Sequence, residues 1–123
     1  MIYTGYYAKL PSDMLVASIS NSQPPGCEFP VLSALVPPWD LVSSYKQGTT
    51  SWDTFKQAYL AQLDQLPQQI WDHFSTFPGD LTLACWEAPG KPCHRHILRE
   101  YMLSKGIPAK EYSDKEGDYG TCS

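Results

Sequence analysis

The sequence predicts an α/β fold: a small single domain in which a layered sheet carries helices and the last strand and helix form a βα unit. Three observations lead there. The chain has 123 residues, the size of one ordinary domain. Its apolar segments alternate between short runs of strand character and stretches with helical periodicity, in the order strand, strand, helices, strand, helix. Eleven prolines are scattered as punctuation, with no internal repeat or low-complexity tract.

Taken in order, Ile2 to Ala8 is rich in β-branched and aromatic residues and reads as a first strand. Pro11-Ser12-Asp13 marks a turn, and Met14 to Ser20 suits a mostly buried strand with a polar exit. Asn21 to Pro30 holds three prolines and a glycine, so it is a loop, long enough to be either a binding loop or an ordinary connection. Pro37 and Pro38 open a short helix over Leu41 to Lys46, closed by Gly48. Thr50 or Ser51 then caps the clearest helix, whose apolar stripe is Trp52, Phe55, Tyr59, Leu63 and Leu66. Pro67 interrupts it, and Gln68 to Phe77 forms a further helix carrying Ile70, Trp71 and Phe74. After the Pro78-Gly79-Asp80 turn, Leu81 to Glu87 reads as a strand. Pro92 to Lys105 reads as a helix with Pro92 at its first position, stopped by Gly106 and Pro108. The expected domain is therefore 1–108. The segment 109–123 is polar and acidic, with a short edge strand near Tyr112 before it frays.

Composition narrows the function classes. Apolar residues make up 42% and charged residues 18%, which excludes a disordered polyelectrolyte, and no apolar run is long enough to cross a bilayer. The net charge of −4 disfavours general nucleic-acid binding through phosphates. Met1 to Leu10 has neither a basic nor an apolar leader region, so the expectation is a cytoplasmic protein with its four cysteines as thiols. The acidic average hides a basic island. Both arginines, Arg95 and Arg99, lie beside His94 and His96, and Lys91 and Lys105 flank them.

That island adjoins the residues best suited to chemistry. Strand alternation puts Cys85 and Glu87 on one face at the carboxyl end of their strand, where open α/β sheets place ligands. Cys93, His94 and Arg95 would occupy the first helical turn, whose unpaired N–H groups and dipole favour an anion and a thiolate. Arg95 and Lys91 would reinforce the anion site, and Ser20 would line the same cleft from the second strand. Four readings compete. The site binds an anionic, phosphate-bearing or nucleotide-like small molecule; or it is an active site with Cys85 or Cys93 as nucleophile and Glu87 or His94 as acid or base. Alternatively, Cys85, Cys93, His94 and His96 ligate zinc, although their spacing lacks paired short-interval knuckles. Finally, the cluster is structural, with Cys85 a small buried hydrophobe and Glu87 a partner for Arg95. The preferred reading is the anion binder, with no metal and no cofactor assigned.

The combination of Tyr3-Thr4-Gly5-Tyr6, Ile19-Ser20 followed by Pro24, Leu35 to Pro38, Tyr45-Lys46, Tyr59, and Cys85-x-Glu87 with Cys93-His94-Arg95 resembles the domain of unknown function 488 family. The resemblance spans about Ile2 to Pro108 and implies an α/β fold. It also implies membership among small bacterial and bacteriophage proteins. Many members end the second strand in Asp-x-Arg, where this chain has Ser18-Ile19-Ser20. Because the family brings no agreed reaction, an enzyme using the same cleft remains open. So does a bacteriophage–host modulator or interaction module that sequesters a nucleotide signal. The expected partners are an anionic small molecule and a second copy of the chain or a host protein; no membrane and no general nucleic-acid binding are expected.

Overall fold

A computed structural model of the chain describes residues 1–11, 13–86 and 92–112, and the backbone of 119–120. Its centre is a four-stranded parallel sheet of β1 (Ile2–Tyr6), β3 (Leu15–Ser18), β4 (Leu81–Cys85) and β5 (Ala109–Glu111), ordered β3-β4-β1-β5. The short β2 (Leu10–Pro11) pairs antiparallel with β6 (Tyr119–Gly120).

β4 carries no charged residue, and all five of its side chains are buried, as expected of a strand covered on both faces. Leu81, Leu83 and Cys85 alternate onto one face, where they join Ile2, Ala17 and Ile19 in the main core. Ala84 turns to the other face, into a smaller cluster with Tyr7 and Leu10. Thr82 shares that face, and its hydroxyl donates to Met14 Sδ at 3.0 Å. Gly5 lets β1 approach β4 closely, since a Cβ there would stand 3.2 Å from the Thr82 methyl.

The helices are α1 (Trp39–Lys46), α2 (Trp52–Asp64), α3 (Gln68–Ser75) and α4 (His94–Ser104). They supply the rest of the main core, principally Phe55, Tyr59, Leu63, Trp71, Ile97, Leu98 and Met102. Of the predicted stripe, Phe55, Tyr59 and Leu63 are buried, while Trp52 and Leu66 (just past the end of α2) are half-buried against the core; Ser51 caps the helix, its Oγ accepting from the Thr54 N–H at 3.1 Å. A 3₁₀ turn at Ser33–Leu35 is pinned beneath α2, with Tyr59 Oη donating to the Leu35 carbonyl at 2.5 Å. Gly106, at φ +79°, takes the left-handed position that ends α4.

Of the boundaries that differ from the sequence expectation, two bear on the site. α4 begins at His94 rather than Pro92, because Cys93 is extended (φ −149°, ψ 144°), a conformation that carries its sulfur to Cys85. The edge strand falls at Ala109–Glu111 and pairs in parallel with β1, so residues past 108 complete the main sheet. The β4–α4–β5 connection is thus a full crossover, passing over the intervening β1. No helix among the described residues is long and apolar enough to cross a membrane.

Leu83→Ala is expected to lower unfolding stability by about 2–5 kcal/mol, since the residue is fully buried in the central strand. Ser51→Ala should cost only about 1 kcal/mol through the lost cap. Urea unfolding of both variants compares the two directly, and equal losses would contradict this core assignment.

Candidate functional site

Because the main strands are parallel, their carboxyl ends converge at one edge, with Tyr6 beside Cys85 and Ser18 beside Ala84. A cleft of about 730 Å³ opens there. Ser20, Asn21 and Ser22 form its rim from the end of β3, and Cys85 and Trp86 enter from β4. Pro92, Cys93 and His94 bring in the start of α4, while Trp39, Tyr45, Lys46, Trp52 and Phe55 build a wall from α1 and α2. Trp39 and Trp86 are 60% and 44% exposed, so two large rings stand open to solvent at the cleft.

Arg95 does not line this cleft. It is fully buried, and its guanidinium grips Glu111: Nε donates to both carboxylate oxygens at 3.1–3.2 Å and Nη2 to Oε2 at 2.9 Å. Nη1 donates to Cys85 Sγ at 3.1 Å, and the Tyr6 ring lies 5.6 Å from the guanidinium carbon. Thr4 Oγ1 completes the set by donating to Glu111 Oε1 at 2.8 Å. The charge expected to receive an external anion is therefore matched internally by a carboxylate on β5.

His94 is buried at the cleft floor, edge-on to Tyr59 at 5.4 Å. Its Nε2–H donates to the Ile19 carbonyl at 2.5 Å, which leaves Nδ1 facing Cys93 Sγ at 3.8 Å. Burial pushes the His94 pKa down to about 4, aided by the charges of Arg95 and His96 and opposed by the Ile19 hydrogen bond. His96, half-buried on the same helix, is also lowered, first by burial and then by Arg95.

The cysteine expectation is corrected. Cys85 and Cys93 lie at disulfide distance from one another, and Cys27 is disulfide-bonded as well, so these are not free thiols. The fold brings together two sulfurs eight residues apart, a proximity that a sequence without a leader region does not encode.

Ser18 and Ser20, at the end of β3, join Tyr7 in a neutral hydroxyl chain. Tyr7 Oη lies 2.6 Å from both Ser18 Oγ and Ser20 Oγ, and Ser20 Oγ donates to the Ser22 carbonyl at 2.6 Å. Each hydroxyl has one proton, so the order is forced: Ser18 donates to Tyr7, Tyr7 to Ser20, and Ser20 to Ser22.

Of the residues singled out from sequence, Ser20, Cys85, Cys93 and His94 meet at the cleft. Arg95 lies behind it, while Glu87 and Lys91 fall outside the described residues. Glu111, Tyr7 and the aromatic wall were not anticipated as site residues. Glu111 had one usable signal, a carboxylate in the strand that must follow a βα unit.

Residues 29–106, more than half of the chain, match DUF488-N3a, described as the active DUF488-N3 subclade. The chain belongs to the DUF488 family. No curated protein and no solved structure matches it. The span matched within DUF488 covers the aromatic wall, Cys85, Cys93, His94 and Arg95. It stops short of Glu111 and of the Ser18–Ser20 chain.

Two outcomes are expected. Arg95→Met should cost about 3–5 kcal/mol in chemical unfolding because it strands the Glu111 charge, whereas the Arg95→Met, Glu111→Leu pair should cost less. For His94, the unfolded pKa near 6.5 exceeds the folded value of about 4. The unfolded chain therefore binds more protons in that window, and His94's contribution to stability is lost as pH falls from about 6.5 towards 4. Histidine NMR titration together with unfolding at several pH values checks this; a His94 resonance titrating near 6.5 would contradict it.

Proposed function

We propose that this DUF488 protein binds a small anionic ligand with a planar, nucleotide-like part among the cleft's aromatic rings. Its phosphate-like part lies at the start of α4. The observation that carries this reading is the make-up of the cleft: five aromatic side chains opposite a helix N-terminus, with hydroxyl and amide groups at the rim. Rings such as Trp39, Trp52 and Trp86 offer stacking surface to a base. The positive end of the α4 dipole and Lys46 supply the attraction for an anion in an otherwise acidic protein. Lys91, placed by sequence in the turn before α4, belongs to the same proposal. Arg95 has a different part in it, holding Cys85 and α4 in place through Glu111.

A second reading, an enzyme with a cysteine nucleophile, is favoured by the proximity of Cys93 and His94 at the cleft and by the subclade's description as active. It requires the Cys85–Cys93 bond to be opened first, since a sulfur in a disulfide is no nucleophile.

Tryptophan fluorescence titration with a panel of nucleotides and sugar phosphates tests the first reading. Stacking is worth about 1–3 kcal/mol per base, so Trp52→Ala should weaken a nucleotide roughly 5- to 150-fold. Lys46→Ala should weaken the phosphorylated ligand more than its dephosphorylated analogue. A panel in which the phosphate adds nothing would remove the anion reading. Turnover that appears only with added reductant and disappears in Cys93→Ser would favour the enzyme.

A further inference from the structure

The spacing of Cys85, Cys93, His94 and His96 argued against a metal, but the fold assembles a smaller set of donors than the sequence suggested. Cys85 Sγ, Cys93 Sγ and a ring nitrogen of His94 all lie within 4.8 Å of one another, buried at the cleft floor. His96 is not in the set. We propose that, once the Cys85–Cys93 bond is reduced, the two thiolates and His94 Nδ1 hold a divalent cation of the zinc class, with its fourth position open to the cleft.

Four features support this. The Ile19 carbonyl accepts from His94 Nε2–H, so the Nδ1 lone pair faces the sulfurs; a backbone carbonyl is a usual orienting partner for a metal-bound histidine. Arg95 Nη1 donates to Cys85 Sγ at 3.1 Å, a contact that favours thiolate over thiol. The Cα atoms of Cys85 and Cys93 are 7.8 Å apart. Disulfides usually span about 4.4–6.8 Å between Cα atoms. Two thiolates on one tetrahedral zinc, at about 2.3 Å each, stand about 3.8 Å apart, and this wider backbone spacing accommodates that separation. Finally, two cysteines and one histidine with an open position form a donor set known for zinc that keeps a water or substrate as its fourth ligand.

A thiol-class reductant supplies two electrons, the S–S bond breaks to give two thiols, and the reductant leaves as its own disulfide. Cation binding then displaces one proton from each thiol to solvent, while His94 coordinates as neutral imidazole. A disulfide-class oxidant reverses the sequence: it takes up the two electrons and leaves as two thiols, the Cys85–Cys93 bond re-forms, and the ion is released.

The test uses the full chain, with and without reductant, handled anaerobically after the reductant is removed. Zn²⁺ is titrated in competition with a chromophoric chelator, and Co²⁺ is followed by absorption. The expected result is one ion per reduced chain, a thiolate-to-cobalt charge-transfer band, and no binding by the oxidised chain. Cys93→Ala and His94→Gln should each lose stoichiometric binding, with circular dichroism reporting whether they fold. The comparison of reduced and oxidised wild-type chain needs no variant. Absence of uptake by the reduced chain, a cobalt spectrum without the thiolate band, or undiminished binding by folded Cys93→Ala would overturn the proposal.

Discussion

A guanidinium with no exposure to water must find its counter-charge inside the protein, and most of this architecture follows from where Arg95 finds it. The carboxylate is on β5, the sulfur it also touches is on β4, and the ring beside it is on β1, as is the threonine that holds Glu111. One side chain on α4 thus refers to three neighbouring strands. Buried ion pairs are weak as net stabilisers because desolvation offsets their attraction. Their effect here is on register. Ala109, Lys110 and Glu111 alternate buried, exposed, buried, so sliding β5 by one residue would drive Lys110 towards Arg95. The pair excludes that arrangement and seats α4 so that Cys93 and His94 reach the cleft.

Legibility in the sequence followed the range of the interactions involved. α2 was readable because both its apolar stripe and its Ser51 cap are local, and β4 because an uncharged apolar run between turn signals admits few alternatives. Of the clustered thiols, imidazole and guanidinium, Cys85, Cys93 and His94 line the cleft at the strand end and helix start, and Arg95 lies behind it. Partners brought together by the chain's return were not readable. Glu111 sits in what scans as a polar tail, and its role depends on a strand pairing 107 residues from Thr4. The sulfur–sulfur contact likewise depends on how α4 docks. The usual preference for proline at a first helical position lost to that same tertiary contact at Cys93. Whether Trp39 and Trp52 face a core or a cleft is decided by the packing of α1 and α2, which periodicity does not encode.

The resulting site has three chemically distinct sides. Its floor is sulfur and imidazole, with a buried cation behind it; its wall is aromatic; its rim is neutral and hydrogen-bonded. The DUF488 match takes in the floor and wall but not the strand that carries the rim hydroxyls.

That rim has a thermodynamic consequence. The Ser22 carbonyl accepts from Ser20 and also from Trp86 Nε1 at 3.0 Å, so both of its lone pairs are engaged, while Asn21 is tied to the Pro37 carbonyl. A segment held at three points has little freedom left to surrender when a guest arrives. Ordering of the entrance is accomplished during folding, and the mouth of the cleft has a preset shape that any proposed ligand would meet without further ordering cost.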